Sequence, residues 1–217
     1  MTFKKMTPWL IALIVLFLIW IAYGFFSVRN IESPDYKIIS KEGAFEIREY
    51  PSYIIAETQV PSSDYSSNIN EGFTIIADYI FGNNQAQDKI AMTTPVVTKS
   101  ENGTSQQEKI AMTTPVVTEQ QGQEMRMYFV MPKQYTLETL PKPNNPKVKL
   151  IEIPAQTRLA LSFSGWMTEA KMQKKISILK QYAEEKGIAL GPIEVAQYNP
   201  PWTPPFMRRN EIWASIK

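Results

Sequence analysis

Histidine and cysteine are both absent from this chain of 217 residues. Their absence removes the thiol nucleophile, the Ser-His-Asp triad, the Cys-His dyad, every disulfide and the usual zinc sites. Any catalysis would have to run on carboxylates, lysine, tyrosine, serine or threonine. The most conspicuous hydroxyls are Thr93-Thr94 and Thr113-Thr114. No base stands at a telling spacing from them, and threonine in a strand serves β-propensity. The chain is therefore read as a binding protein and not an enzyme. Conceivable donors for a metal are the soft thioethers of Met92, Met112, Met127, Met131 and Met207 and the hard phenol oxygens of Tyr50, Tyr79 and Tyr198. Methionine on a strand is more often core filler, and tyrosine usually buries its ring, so no metal ligand is assigned.

The residues best suited to holding a ligand lie near the C-terminus. Asn199–Asn210 reads NPPWTPPFMRRN. Its prolines fix φ and stiffen the loop. Among and after them stand Trp202, Phe206, Met207, Arg208 and Arg209. A rigid loop that shows large apolar groups beside two cations can wall a flat, apolar, anionic ligand. Read for folding alone, the same residues are a cover over the core, with the arginines paired to local acids. Lysine and arginine total 23 against 21 acids. That near balance, without a clustered basic footprint, leads us to expect no nucleic-acid partner. The stripe Lys171, Lys174, Lys175 reads as a solvated helix face.

Several elements must position these residues. From Met6 to Val28 no residue is charged. As a helix this stretch is roughly 35 Å long, enough to cross a bilayer. Trp9 at one end and Trp20 and Tyr23 near the other suit the membrane interfaces, and Lys4 and Lys5 precede the run. The bias of positive charge predicts an uncleaved single-pass anchor over residues 1–29, with the rest outside the cytoplasm. The rival is a cleavable signal peptide, against which stand the length of the apolar run and Tyr23-Gly24-Phe25-Phe26 as a poor cleavage site. Residues 30–35 read as a linker and residues 36–217 as one domain. Strands are expected at Tyr36–Ser40, Phe45–Arg48, Tyr53–Val60, Met125–Met131, Val148–Ile153, Arg158–Phe163, Ile193–Tyr198 and Glu211–Ile216. Ile69, Phe73, Ile76, Ala77, Ile80 and Phe81 fall at helical spacing, with Ser66 or Ser67 as cap and Gly82 as stop. A second helix runs from a Thr168 cap through Met172, Ile176, Leu179 and Ala183 to Gly187. The order strand–helix–strand–strand thus occurs twice, and the class is α+β: two similar halves whose strands form one curved sheet or barrel with a helix on each side.

The ten residues KIAMTTPVVT occur twice, at Lys89–Thr98 and Lys109–Thr118, separated by a polar spacer containing Asn102-Gly103. Alternating residues around an Asn-Gly turn predict a hairpin of the two copies, bent or at an edge where each proline removes a donor. A tandem duplication that only lengthens a loop is the other reading.

Five runs in order, FEIREYPSYIIAET, GFTIIADYIFGNN, KIAMTTPV, MRMYFVMP and YNPPWTPPFMRRNEIW, resemble the SOUL haem-binding protein family over about Tyr36 to Lys217. The resemblance implies a distorted β-barrel of two similar halves flanked by two helices. It also implies reversible binding of haem or another tetrapyrrole in an apolar surface cleft. That cleft is implied beside the first helix of the domain, at Phe73, Ile76, Ala77 and Ile80, and near the loop before the last strand, at Trp202, Phe206, Met207, Arg208 and Arg209. Some members are thought to ligate iron through histidine, which is missing here. Others place a lysine between the proline pairs near a propionate, where this chain has Trp202-Thr203. Without an iron ligand, burying about 400 Å² of apolar surface yields about 10 kcal/mol gross, against an association cost of roughly 4–15 kcal/mol. Micromolar or weaker affinity follows, which suits a carrier or buffer. The layout also resembles the ligand-binding domains of GyrI-like proteins, which implies cationic aromatic ligands held by a buried carboxylate. Glu194 is the candidate, although it is expected to face water.

Overall fold

The computed structural model describes residues 8–61, 65–86 and 107–217. Its elements are α1 (Pro8–Phe26), β1 (Lys37–Glu42), β2 (Phe45–Tyr50), β3 (Tyr53–Pro61), α2 (Tyr65–Ile80), β4 (Asn84–Gln85), β5 (Val116–Gln121), β6 (Glu124–Val130), β7 (Lys142–Pro143), β8 (Lys149–Ile153), β9 (Gln156–Phe163), α3 (Glu169–Glu185), β10 (Leu190–Gln197) and β11 (Asn210–Ile216), with a 3₁₀ turn at Pro205–Met207. All the long strands join one nine-stranded sheet in the order β1-β2-β9-β11-β10-β5-β6-β3-β8, with every pairing antiparallel.

This sheet corrects the expected barrel. β1 and β8 are its two edges, so the ring is not closed. Each half runs strand–strand–helix–strand–strand, one strand more than the expected unit. β2-β9-β11-β10 mirrors β8-β3-β6-β5, and the first strand of each half pairs with the other half. The β10–β5 pairing joins the halves at the centre.

Both helices cover the same face of the sheet. α2 lays Ile76, Tyr79 and Ile80 on Ala56, Met125, Met127 and Phe129. Gly72 permits that approach, since a Cβ there would lie 3.1 Å from the Met127 sulfur. The helix ends at Ile80, and Gly82 turns the chain with a φ of 123°. The side chains of Ser66 and Ser67 lie outside the described residues. α3 opens as expected: the Thr168 hydroxyl accepts the Lys171 N–H at 3.3 Å, and Gly187 at φ 67° closes it. Its Met172, Leu179 and Ala183 pack on Leu159, Leu161, Val195, Ile212 and Ala214. The opposite face is filled by the sheet itself, through Ile55, Val117, Tyr128, Val130, Ala160, Tyr198 and Trp213.

The expected hairpin of identical decapeptides involves both copies. The first copy lies outside the described residues. In the second copy only Val116–Thr118 are strand, and β5 already has β10 on one side and β6 on the other. Its earlier part is held individually: the Ile110 N–H donates to the Ile80 carbonyl at 2.9 Å, the Thr113 hydroxyl to the Val130 carbonyl, and the Thr114-Pro115 peptide is cis. Segment 30–35 is bonded to the domain as well. The Glu32 carbonyl accepts the Thr114 N–H at 2.8 Å and its carboxylate accepts the Lys133 N–H at 3.0 Å.

Candidate functional site

The sequence-predicted site residues fall in two environments. On α2, Ile76, Ala77 and Ile80 are interior side chains, whereas Phe73 is 36% exposed and sits edge-on to Phe129 with ring centres 5.6 Å apart. Phe73 is therefore the member of that group with a face toward solvent. The loop residues Trp202 and Phe206 are more than half exposed. They rest against α1: Tyr23 lies 6.5 Å from Trp202, Phe17 lies 6.3 Å from Phe206, and the Trp20 indole donates to the Trp202 carbonyl at 2.7 Å. α1 is long and apolar enough to cross a membrane, a property that a signal sequence shares.

The two arginines of the loop differ. Arg209 pairs with Glu211 at 2.8 Å, donates to the Tyr36 hydroxyl at 3.2 Å and lies 4.1 Å above the Tyr198 ring. It is a structural cation. Arg208 has no carboxylate partner among the described residues. It donates to the carbonyls of Thr203 (2.9 Å) and Pro201 and stacks 3.9 Å over the exposed ring of Trp166. Trp166, Trp202, Phe206 and Arg208 thus share one loop system, tied together by the Gly165 N–H donating to the Pro205 carbonyl at 2.9 Å.

Charged residues buried on the face opposite the helices were missed by the sequence reading. Glu211, wholly buried, accepts a forked pair of bonds from Arg48 at 2.8 and 2.9 Å, and further bonds from Tyr198 (2.7 Å), Ser162 (2.8 Å) and the Trp213 indole (2.6 Å). Burial alone would raise its pKa, but Arg48, Arg209 and the Trp213 N–H outweigh it and hold the carboxyl down at about 2. A second cluster joins Arg126 to Glu57 (2.5 Å) and Glu119 (3.1 Å), and Arg158 to Glu194 (3.1 Å). Glu194 does not face water as expected. It is buried, accepts from the Tyr128 hydroxyl at 3.0 Å, and burial pushes its pKa up despite the neighbouring Arg158. Three carboxylates against two guanidiniums leave this cluster one negative charge in excess. It borders a cavity of about 200 Å³. A periodic signal was present, because Arg126, Arg158 and Glu194 share strand parity with Tyr128, Ala160 and Ala196.

A larger cavity of about 480 Å³ lies between segment 32–35, β3 and the chain after β6, with Tyr53, Met131, Tyr135 and Leu137 in its wall. None of the nine expected site residues lines it. Its volume is within the usual range for small-molecule sites.

The family model described as "SOUL heme-binding protein" matches residues 31–108 and 99–215. The chain belongs to the SOUL family. The two matches overlap between the repeated decapeptides, so each SOUL match takes one copy. Curated SOUL relatives are similar along most of their length. Heme-binding protein 2 of Mus musculus is 28% identical over 192 residues, covering 85% of this chain and 86% of its own. Heme-binding protein 1 of Xenopus laevis is 25% identical over 198 residues, covering 85% and 92%. Among solved structures, the EcmrR C-terminal domain superposes with a TM-score of 0.55 at 14% identity, covering 84% of this chain and 98% of that one. That likeness concerns the fold alone.

Proposed function

We propose that this SOUL protein is a membrane-anchored, non-enzymatic carrier or buffer of haem or a related tetrapyrrole. Residues 1–29 form the anchor, 30–35 the connection and 36–217 the binding domain, which stands outside the cytoplasm. The observation that carries the reading is the outward aromatic face of Trp202, Phe206 and Trp166 beside Arg208, a cation without a carboxylate partner among the described residues. A porphyrin is a flat apolar body with carboxylates at one edge. The aromatic face would cover the body by desolvation, and Arg208 would meet a propionate. On α2, Phe73 is the residue of the expected group that can meet a ligand, with Ile76, Ala77 and Ile80 backing it from the core. Met207, half-buried, would add to the apolar surface, and Arg209 fixes the base of the loop through Glu211. No iron ligand is required, and none is assigned.

The test is a titration of the full chain in nanodiscs with hemin and with metal-free protoporphyrin, against empty nanodiscs. Equal micromolar affinities are expected, and Trp202→Ala should weaken both about tenfold with the fold intact. A far tighter hemin complex would overturn the ligand-free reading, and no response to either macrocycle at tens of micromolar would overturn the function.

The buried Glu194 with its raised pKa favours a second reading, a small-cation binder of the GyrI-like kind. Arg158 and Arg126 already oppose that carboxylate, so a cation would have to displace a guanidinium. Binding of a hydrophobic cation that Glu194→Gln abolishes, without porphyrin binding, would select this reading.

A further inference from the structure

The carbonyls of the proline-rich loop from Pro200 to Pro205 are prepared for a medium without water, although the buried Thr203 hydroxyl has no partner among the described residues. Pro200, Pro201, Pro204 and Pro205 bring no N–H donor. Every carbonyl from Pro200 to Pro205 is nevertheless taken by a protein donor. Pro200 accepts from the Thr203 N–H at 3.1 Å, and Pro204 from the Met207 N–H at 2.9 Å. Pro205 accepts from the N–H groups of Gly165 at 2.9 Å and Arg208 at 3.1 Å. Arg208 reaches Pro201 and Thr203 with its guanidinium, and the Trp20 indole of α1 reaches Trp202. A loop in water needs no such completeness, since solvent fills any vacancy. In hydrocarbon an unpaired carbonyl is prohibitive, and irregular backbone survives only when satisfied by protein.

The side chains point the opposite way from those of a water-facing loop. Trp166, Trp202 and Phe206, the bulkiest apolar groups of this region, are each more than half exposed. Cations lie near this region: Arg208 stacks over Trp166, Lys171 donates to the Ser164 carbonyl at 2.6 Å, and the ammonium groups of Lys171 and Lys175 are 5.7 and 5.2 Å from the Phe163 ring. Tryptophan outward with lysine and arginine nearby is the composition of a membrane interface.

Location completes the case. The loop packs along α1 from Gly24 to Phe17, about 10 Å of helix at ~1.5 Å per residue. Gly24 is the contact point, since a Cβ there would lie 2.6 Å from Pro204 Cδ. Whatever medium surrounds that part of α1 also surrounds the loop.

We propose that Asn199–Arg208, with Trp166, is a second membrane-contacting element that enters the leaflet beside α1 and seats Trp202, Phe206 and Trp166 in lipid. The occupant of this apolar face is the bilayer, with anionic headgroups meeting Arg208, Lys171 and Lys175. The inference rests on the reading of α1 as a transmembrane anchor and deepens the proposed function. The binding face opens toward lipid, so a flat amphiphile exchanges with the membrane and not with bulk water.

The lack of cysteine makes the test direct, because a single introduced thiol carries a single label. Full-length protein is placed in nanodiscs of phosphatidylcholine with phosphatidylglycerol. Spin labels are attached in separate variants at Phe206→Cys, Trp166→Cys, Leu13→Cys on α1 and Lys180→Cys on the exposed face of α3. Relaxation by oxygen, which concentrates in lipid, is compared with relaxation by a water-soluble nickel chelate. The labels at 13, 206 and 166 are expected to favour oxygen at least threefold relative to the label at 180. A label at 13 in lipid with 206 and 166 in water would overturn the loop insertion and leave the anchor standing. A label at 13 in water would overturn both. Labels at 206 and 166 shielded from both reagents would mean that protein covers the face, and would overturn the assignment to lipid.

Discussion

Replacing Glu211 by glutamine removes the acceptor on which the buried polar network converges. The carboxylate receives Arg48, Arg209, Tyr198, Ser162 and Trp213, and glutamine cannot accept with its amide nitrogen. Two routes give the magnitude. The carboxyl titrates at about 2 instead of 4.5. At 1.36 kcal/mol per pKa unit, that difference is about 3 kcal/mol of stability at neutral pH. Breaking one partner of a buried ion pair independently costs about 3–5 kcal/mol, here toward the lower end, because Arg48 stays buried with Glu46 (2.7 Å) as its one remaining counter-charge among the described residues. The sign follows from the depressed pKa. The contribution is complete above the unfolded value of about 4.5 and is lost as pH falls toward 2. Urea unfolding of the full chain in detergent, followed by near-ultraviolet circular dichroism of the tryptophans, measures it. The parent and Glu211→Gln should differ by about 3–5 kcal/mol at pH 7, with the gap closing between pH 4.5 and 2.5 as the parent carboxyl takes up its proton. A gap below 1 kcal/mol, or one that stays constant across that window, would refute the ionic account.

Gly24→Leu should push Pro204 off α1, because even a Cβ would stand 2.6 Å from Pro204 Cδ. The expected cost is about 1–3 kcal/mol of local packing. It should be read as increased mobility of a spin label at Phe206→Cys, with little change in the unfolding of the sheet. Deleting Lys89–Glu108, which leaves one copy of the decapeptide, should preserve the β5 pairings to β6 and β10. It should change stability by less than about 1 kcal/mol, since loop length enters only logarithmically. Loss of the folded state on deletion, seen by circular dichroism, would show that the first copy is structural.

Elements with one internal period were legible from sequence. α3 begins at its Thr168 cap and stops at Gly187, and α2 buries Ile76, Ala77 and Ile80 of the stripe that its spacing indicated but leaves Phe73 and Phe81 exposed. Partnership was not legible. The repeat resembles a hairpin because local alternation specifies a strand but not its neighbour, and β5 finds β10 from the other half. The buried charges were hidden for a related reason. A glutamate in an alternating strand reads as solvent-facing, and only the meeting of β9, β10 and β6 surrounds Glu194 with Arg158 and Tyr128. For the loop, the aromatic and cationic types were legible, but not that Arg208 and Arg209 serve different ends.

The pseudo-symmetry of the two halves isolates what folding does not require. β5 and β6 are joined by Gly122-Gln123, a tight turn with Gly122 at φ 65°. The equivalent strands of the second half, β10 and β11, are paired in the same way, so an equally short turn would serve the sheet. The chain instead interposes Tyr198–Arg209, four of whose residues are proline and whose largest side chains are left outside the core. The sheet's buried carboxylates Glu46, Glu57, Glu119, Glu194 and Glu211 are each paired with one or more of Lys41, Arg48, Arg126, Arg158 and Arg209, while Arg208 binds only carbonyls and a tryptophan ring among the described residues. An expansion that the sheet does not need, aromatic on its outer side and docked on the most apolar helix, has its physical purpose at the surface. The residues it presents suit a lipid boundary and a flat anionic guest.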